Sequence, residues 1–238
     1  MKREDNRVLN MYRNSKGWII SVTGIVARDS SCLDMDTDRH PLLREDPDKD
    51  RSERKRGVIG RYRDGRYDIP WRCRRDMTHF RQVTRHPTGE DKWICIMGKN
   101  TYLSLEKRLV DRREIVISST LHDDDVEVYR SIEECFDRLI DEGISRHIYV
   151  IGGNQLLQSS MQYIDDLYLT TIDTRVEGDP PSLLNETPEE SSKRKDELVY
   201  LDIELPGDMG LLKRDEYLDD SDDVGCVIEY YTRDRRDI

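Results

Sequence analysis

The chain has 238 residues, of which 37% are charged and 35% are hydrophobic, and its formal net charge at pH 7 is −11. This length fits one domain with an insertion or a tail, and the high charged fraction indicates that some segments add nothing to a hydrophobic core. The negative net charge argues against nucleic acid or an anionic membrane as a partner.

The cysteines and the N-terminal residues bear on the compartment. The five cysteines are scattered without a Cys-x-x-Cys pair, which predicts buried free thiols. Residues 1–16 form a polar extension without an apolar signal region, and no eighteen successive residues are apolar. We therefore expect a soluble cytoplasmic protein with a single domain over residues 17–238.

The first predicted element is a β-strand over residues 17–27. Its sequence, GWIISVTGIVA, is an almost continuous apolar run with β-branched residues, which is typical of a central strand covered on both faces. From residue 28 the chain becomes charged and contains proline, which predicts a surface insertion at about 30–56. A second acidic loop is predicted at about 177–197.

Part of the insertion has the spacing of a calcium-binding loop. Acidic residues stand at four ligand positions of an EF-hand, namely Asp34, Asp36, Asp38 and Glu45. The sixth position, which requires glycine for a sharp turn, is Arg39, and no amphipathic helix flanks the segment. The prediction is therefore a solvated acidic loop without a metal site.

The segment 57–84 carries the most informative pattern. It begins with a short apolar strand and a glycine-containing loop, and a helix is predicted directly after Pro70, because proline favours the first turn of a helix. Asp76, Phe80 and Val83 follow at positions i, i+4 and i+7, so a carboxylate lies in the apolar stripe of this helix. Since aspartate is seldom buried without a partner, this carboxylate is either paired with a neighbouring arginine or functional.

The rest of the chain alternates strands and helices. Further strands are predicted at 92–97, 114–118, 126–129, 147–151 and 166–172. Helices are predicted at 99–105, at 131–143 after a capping box of Ser131 and Glu134, and from about 154. Strands at 198–205 and 225–231 are expected to end the chain as an antiparallel pair. This order predicts an α/β fold, a three-layer sandwich around a central mixed, mostly parallel sheet that ends in antiparallel C-terminal strands.

Several of these segments together resemble one enzyme family. The tripeptides VIG (58–60) and IPW (69–71), the aspartate five residues after Trp71 and the phenylalanine four residues further on are similar to dihydrofolate reductase. Four more segments match in the same order: IMGKNTYLSL (96–105), RREIVIS (112–118), IYVIGG (148–153), and LYLTTI followed by VEGD (167–179). The resemblance implies a monomer that reduces 7,8-dihydrofolate to tetrahydrofolate with NADPH and binds antifolates.

The resemblance also implies roles on the substrate side. Asp76 would accept two parallel hydrogen bonds from the pterin N3 and 2-amino groups, with Thr170 beside it. Hydride would pass from nicotinamide C4 to pterin C6, and N5 would receive a proton through water beneath the loop that carries Ile69 and Trp71. The folate pocket would be lined by residues whose alternative role is core packing, namely Met77, Phe80, Leu105, Leu109 and Ile151. Arg112 matches an arginine that binds the α-carboxylate of the glutamate tail, and the alternative is a strand-end surface charge.

On the cofactor side, the resemblance implies three groups of contacts. The nicotinamide contacts are Gly24, Ile25 and Ile59; the first phosphate-binding turn is Gly98, Lys99, Asn100 and Thr101; and the adenosine 2′-phosphate is held near Ser118, Ser119 and Gln155. Gly152 and Gly153 match a glycine pair that the family joins by a cis bond. The charge of Lys99 would favour NADPH over NADH.

Three features depart from the family pattern. Tyr102 replaces a common tryptophan, and Leu157 replaces a frequent tyrosine near the nicotinamide. The segment RYRDGRYD (61–68) lengthens the active-site loop, which puts its closing motion in question.

Two other interpretations stay open. A reductase of the riboflavin pathway has the same architecture and uses NADPH, but it would not explain Asp76 with Thr170. The chain could also be a folate- or nucleotide-binding assembly component with secondary catalysis, in which the charged insertion is a docking element.

Overall fold

The computed structural model describes residues 21–30, 57–86, 92–144, 147–176, 196–218 and 223–233. The polar extension, most of the insertion with its EF-hand-like spacing, and most of the acidic loop at 177–197 lie outside the described residues.

The described residues form eleven strands and four helices. The strands are β1 (Ser21–Asp29), β2 (Val58–Arg63), β3 (Arg66–Asp68), β4 (Trp93–Gly98), β5 (Arg112–Ile117), β6 (Glu127–Tyr129), β7 (His147–Val150), β8 (Asp166–Ile172), β9 (Asp196–Tyr200), β10 (Met209–Tyr217) and β11 (Cys226–Arg233). The helices are α1 (Arg74–Thr84), α2 (Lys99–Ser104), α3 (Ile132–Asp141) and α4 (Asn154–Ser160). None of these helices is long and apolar enough to cross a membrane.

The main sheet has eight strands in the order β10-β11-β8-β1-β7-β4-β5-β6. From β8 to β6 every pair of neighbours is parallel, and β11 and β10 add two antiparallel pairs at one side. The predicted mixed, mostly parallel sheet is thereby confirmed. A second sheet, in the order β3-β2-β9, is antiparallel.

Alternate residues of the central strands pack on opposite faces, as the pleat of a strand requires. On one face, apolar side chains pack with α3 and α4: Val22, Val26, Ile94, Ile96, Ile148 and Val150 on the strands, and Phe136, Leu139, Leu156 and Leu157 on the helices. On the other face, a second cluster includes side chains of α1: Ile25, Cys95, Met97 and Tyr149, with Phe80 and Val83. Continuous apolar runs in the strands therefore reflect burial between two helical layers.

The segment 61–68, expected to be a loop, is part of a β-hairpin. Its turn residues Asp64 and Gly65 both have positive φ, 52° and 82°, the conformation that a two-residue turn of this kind requires. Across the strands, Tyr62 and Tyr67 have ring centroids 4.8 Å apart, and Arg61 pairs with Asp68 at 2.9 Å. The dipeptide Asp64-Gly65 between two short segments of strand-forming sequence is the local pattern that indicates such a hairpin.

The C-terminal strand pairing also differs from the prediction. The strand expected at 198–205 is β9, which ends at Tyr200 and pairs with β2 instead of the last strand. The partner of β11 is β10, whose residues Leu211 and Leu212 are exposed. Because β10 is an edge strand with many charged residues, its sequence lacks the apolar pattern on which strand prediction depends.

Two boundaries were also misplaced. The first helix does not follow Pro70 directly; it begins at Arg74, with Cys73 as its N-cap residue. The first strand ends later than the predicted residue 27, because β1 extends to Asp29, which is fully buried. The carboxylate of Asp29 accepts hydrogen bonds from the backbone N–H groups of Val58, at 2.8 Å, and Val176, at 2.9 Å.

Candidate active site

A large cavity lies at the carboxyl ends of β1, β4, β5 and β7, between the main sheet and the three-stranded sheet. Its volume is about 1720 Å³, and a pocket for one small ligand usually has 300 to 1000 Å³. The cavity is therefore larger than a pocket for one small ligand usually is. Ligands of open α/β sheets commonly bind at this edge.

Nearly all of the residues predicted to form the site line this cavity. They come from the loop before α1, from both faces of the cleft and from the turns after β4, β5 and β7: Ile25, Ile59, Ile69, Trp71, Asp76, Met77, Phe80, Gly98, Lys99, Asn100, Thr101, Leu105, Leu109, Ser118, Ser119, Ile151, Gly152, Gly153 and Gln155. Three predicted residues are absent from the lining, namely Gly24, Arg112 and Thr170.

Asp76 lies in the first turn of α1, with its carboxyl group in the cavity wall. Burial raises the pKa of this carboxyl above its usual range, a hydrogen bond from Thr170 partly offsets that effect, and the negative charge of Asp223 adds to it. Thr170 is only 1% exposed and does not line the cavity, so it contacts Asp76 from the protein interior. A carboxylate held at the wall of an apolar cleft can bind a planar group that donates two hydrogen bonds.

The wall beside Asp76 is apolar. Phe80, Leu105, Leu109 and Ile151 pack together against the buried cluster on the α1 face of the sheet. At the mouth, Met77 is 48% exposed and Ile69 is 55% exposed, both lining the cavity. These two side chains are available to a ligand, because apolar groups at the rim of a cavity gain by being covered.

The opposite part of the cavity contains glycines and short polar side chains. The N–H group of Gly98 donates to the carbonyl of Gly152 at 2.8 Å, and the Gly152–Gly153 bond is cis, as the resemblance implied. The Lys99 ammonium donates to the Thr120 hydroxyl at 3.1 Å. The first contact holds the turn after β4 against the glycine pair after β7, and the second joins the same turn to the segment after β5.

Comparison with known proteins agrees with this geometry. Residues 52–197 match the family model for dihydrofolate reductase. The chain belongs to the dihydrofolate reductase family. The structure places β1, which precedes the matched segment, between β7 and β8 in the main sheet.

The chain is similar to curated dihydrofolate reductases. It is 28% identical over 113 residues to a dihydrofolate reductase of Staphylococcus aureus (strain Mu50 / ATCC 700699), a match that covers 47% of this chain and 64% of that protein. It is 33% identical over 118 residues to the dihydrofolate reductase type 9 of Escherichia coli, covering 47% of this chain and 63% of that protein. The chain thus spans somewhat less than two thirds of the length of these relatives.

Arg112, which the dihydrofolate reductase resemblance assigned to the glutamate tail, is 9% exposed. Its guanidinium donates to the hydroxyl of Thr84 at 2.9 Å and to the carbonyl of Val110 at 2.6 Å, and it lies 6.0 Å from the ring centroid of Phe80. Burial lowers its pKa. The alternative of a strand-end surface charge is therefore wrong, and the role in binding a carboxylate stays a prediction.

Gly24 faces the core of this dihydrofolate reductase fold. A Cβ atom at this position would lie 2.8 Å from Leu167 Cδ1 and 3.0 Å from Ile164 Cδ1. Both neighbours belong to the cluster on the α3 and α4 face of the sheet. A larger residue at this position would require these two buried side chains to shift.

The polar residues that line the cavity and that the sequence analysis missed include Tyr67, Arg130 and Asp223. Tyr67, in the hairpin, forms a side-chain hydrogen bond with Asn100 of the phosphate turn. Arg130 directly follows β6, at the edge where the other parallel strands end, and that position was a signal for a functional cation. Asp223 had no local signal, because its partners are about 150 residues earlier in the chain.

Two buried thiols adjoin Asp76. Cys73 Sγ accepts a hydrogen bond from the Asp76 N–H at 3.5 Å, and a hydrogen bond from Cys226 lowers the pKa of Cys73 and raises that of Cys226. The prediction of free thiols is confirmed for all four cysteines in the described ranges; Cys32 lies outside them.

Proposed function

We propose that this protein is an NADPH-dependent dihydrofolate reductase, which delivers hydride to C6 of 7,8-dihydrofolate while N5 is protonated. The observation that carries the proposal is the position of Asp76, at the wall of an apolar cleft with Thr170 behind it. The family membership and the large volume of the cavity support it.

On the substrate side, Asp76 orients the pterin by accepting two parallel hydrogen bonds from N3 and the 2-amino group. Phe80, Leu105 and Ile151 supply the apolar surface beside the ring, and they exclude bulk water from it. The negative charge of Asp76 favours a pterin that is protonated at N5, because attraction between opposite charges is strong in a poorly solvated cleft. Asp76 thereby orients the substrate and also promotes its protonation.

On the cofactor side, the residues present fit a phosphorylated dinucleotide. Those that would hold it are Gly98, Lys99, Thr101, Ser118, Ser119, Thr120, Arg130, Gly152, Gly153 and Gln155. Both α2 and α4 begin directly after a glycine, which leaves their first N–H groups without a side-chain cap and open to an anion. When bound, NADPH supplies the hydride.

The decisive test is turnover by the purified chain with NADPH and dihydrofolate, measured as loss of the absorbance of the reduced cofactor. We expect turnover and a clear preference for NADPH over NADH. The absence of turnover, together with no binding of folate or a diaminopyrimidine antifolate, would refute the proposal.

The cofactor preference has its own variant. Lys99→Glu should reduce the ratio of kcat/KM for NADPH to that for NADH, because it removes a positive charge from the phosphate side of the cavity. Lys107→Glu is the matched control, since Lys107 is exposed and does not line the cavity. An unchanged ratio in Lys99→Glu would exclude Lys99 from cofactor recognition.

A further inference from the structure

The segment before β11 reaches back to the first turn of α1. One carboxylate oxygen of Asp223 accepts a hydrogen bond from the N–H group of Arg74 at 2.7 Å, and the other accepts from the N–H group of Arg75 at 2.8 Å. Asp76 is the next residue of the helix. The backbone that carries the Asp76 carboxylate is therefore held by a side chain from the far end of the chain.

Asp223 completes an otherwise weak helix cap. The first N–H groups of a helix have no partners within the helix and require acceptors from outside. The N-cap residue itself, Cys73, offers only a sulfur atom, which accepts from Asp76 N at 3.5 Å, and thiol sulfur is a weak acceptor. A carboxylate at this end is also favoured by the helix dipole. Asp223 therefore supplies the strong part of the cap.

We propose that Asp223 is a positioning residue for Asp76: its two hydrogen bonds fix the first turn of α1 against β11 and β8, so that the Asp76 carboxylate meets both Thr170 and the substrate. The proposal rests on the function proposed above as far as the substrate is concerned. Its structural part stands on the contacts of the free protein. Asp223 also lines the cavity, but orientation of Asp76 requires no contact between Asp223 and the substrate.

The same carboxylate influences the charge of Asp76. The groups that act on the Asp76 carboxyl are Thr170 of β8 and Asp223, and the thiols of Cys73 and Cys226 adjoin it. The negative charge of Asp223 raises the pKa of Asp76. An uncharged residue at position 223 should therefore lower that pKa.

Two other ionisable side chains of α1 contact aromatic rings of the sheet. The Arg75 guanidinium lies 5.2 Å from the ring centroid of Tyr217 on β10, and His79 contacts Tyr168 of β8. The strand β4, which also packs against α1, has no acidic or basic residue.

The test is Asp223→Asn in the full chain. Asparagine has nearly the same shape, but it loses the charge and one of the two acceptor oxygens. In the free protein, carbon NMR of the carboxyl groups, with the Asp76 signal assigned by its loss in Asp76→Asn, should show a lower pKa for Asp76. Amide hydrogen exchange of Arg74 and Arg75 should become faster. In turnover, kcat/KM for dihydrofolate should fall by roughly ten- to a hundredfold, as for a displaced catalytic group.

Two further variants separate positioning from a general loss of structure. Asp223→Glu keeps the charge and should restore most of the Asp76 pKa, whereas Asp208→Asn, in an exposed ion pair with Arg233, should change neither the titration nor the exchange. A lower melting temperature of Asp223→Asn with unchanged amide exchange of Arg74 and Arg75 and an unchanged kcat/KM for dihydrofolate would overturn the proposal. If the wild-type protein itself fails to reduce dihydrofolate, the proposed function fails, while the amide exchange rates of Arg74 and Arg75 still decide the role of Asp223.

Discussion

Thr170 of β8 donates a hydrogen bond to the carboxyl group of Asp76 on α1. Thr170 pairs with Ala27 of β1 and Ile228 of β11, so its backbone is held between two strands of the main sheet. The hydrogen bond favours the ionised form of Asp76, and burial opposes it. The two effects on the pKa of Asp76 therefore oppose each other in an apolar cleft.

Asp76→Asn should lower the rate of dihydrofolate reduction at neutral pH by roughly a hundredfold or more, because it removes the charge that favours a protonated pterin. NADPH binding should persist, since asparagine has nearly the same shape and the cofactor side of the cavity is unchanged. Part of the rate should return at lower pH, because more substrate is then protonated at N5. The measurement is kcat/KM as a function of pH, and a wild-type rate across the range would leave Asp76 only a structural role.

The same variant should be more stable than the wild type at neutral pH. The folded-state pKa of Asp76 is raised, so folding favours the protonated carboxyl. The resulting stabilisation is complete below the unfolded-state pKa of about 3.9 and is lost as the pH rises through the folded-state pKa. An asparagine side chain does not titrate, so the melting temperature of Asp76→Asn should exceed that of the wild type increasingly across this interval. A constant difference between the two proteins would contradict the raised pKa.

Gly24→Ala tests packing beneath the cofactor side. The added Cβ would approach the ends of the Leu167 and Ile164 side chains to within 3.0 Å, and overpacking of a core costs about 1–3 kcal/mol. Gly210→Ala is the control, since nothing lies within 4 Å of a Cβ there. Thermal unfolding should show a loss for the first variant only, with little change in KM for NADPH.

Tyr67→Phe tests the hairpin. It removes the hydroxyl that bonds to the Asn100 side chain, and a single hydrogen bond contributes about 0.5–1.5 kcal/mol. We expect KM for NADPH to rise several-fold with kcat nearly unchanged, because the phosphate turn would lose a support. The matched variant Tyr62→Phe, on the neighbouring strand, should leave KM unchanged. Equal KM values in all three proteins would show that the hairpin does not support the cofactor side.

The sheet was predictable because its central strands are buried on both faces, so their apolar runs are visible without knowledge of their neighbours. The capping box before α3 could also be predicted, because its two residues are close in sequence. Ser131 Oγ accepts a hydrogen bond from the N–H group of Glu134 at 3.2 Å. Most of the candidate site residues could be predicted from the family resemblance, because they lie in or beside the sequence motifs that carry it. The edge strand β10 was missed, because most of its residues are exposed and it has no apolar run.

Long-range polar contacts could not be predicted from local pattern. Asp29 was left outside the first predicted strand, which ended at residue 27, although it is a buried residue of β1. Asp223 lies in an acidic segment whose composition is typical of solvated surface. In both cases the partners are backbone N–H groups remote in sequence, and such groups have no sequence signature.

Asp29→Ala should destabilise the fold strongly. The two carboxylate oxygens join the end of β1 to Val58 of β2 and to Val176 after β8, and both N–H groups would lose these acceptors. Leaving a buried donor without a partner costs about 1–3 kcal/mol each, so the free energy of unfolding should fall by roughly 2–5 kcal/mol. Asp173→Ala, at an exposed position close in space to the same strand ends, should change it by less than about 0.5 kcal/mol. Denaturant unfolding of both variants gives the comparison, and similar midpoints would show that the buried carboxylate does not hold the strands together.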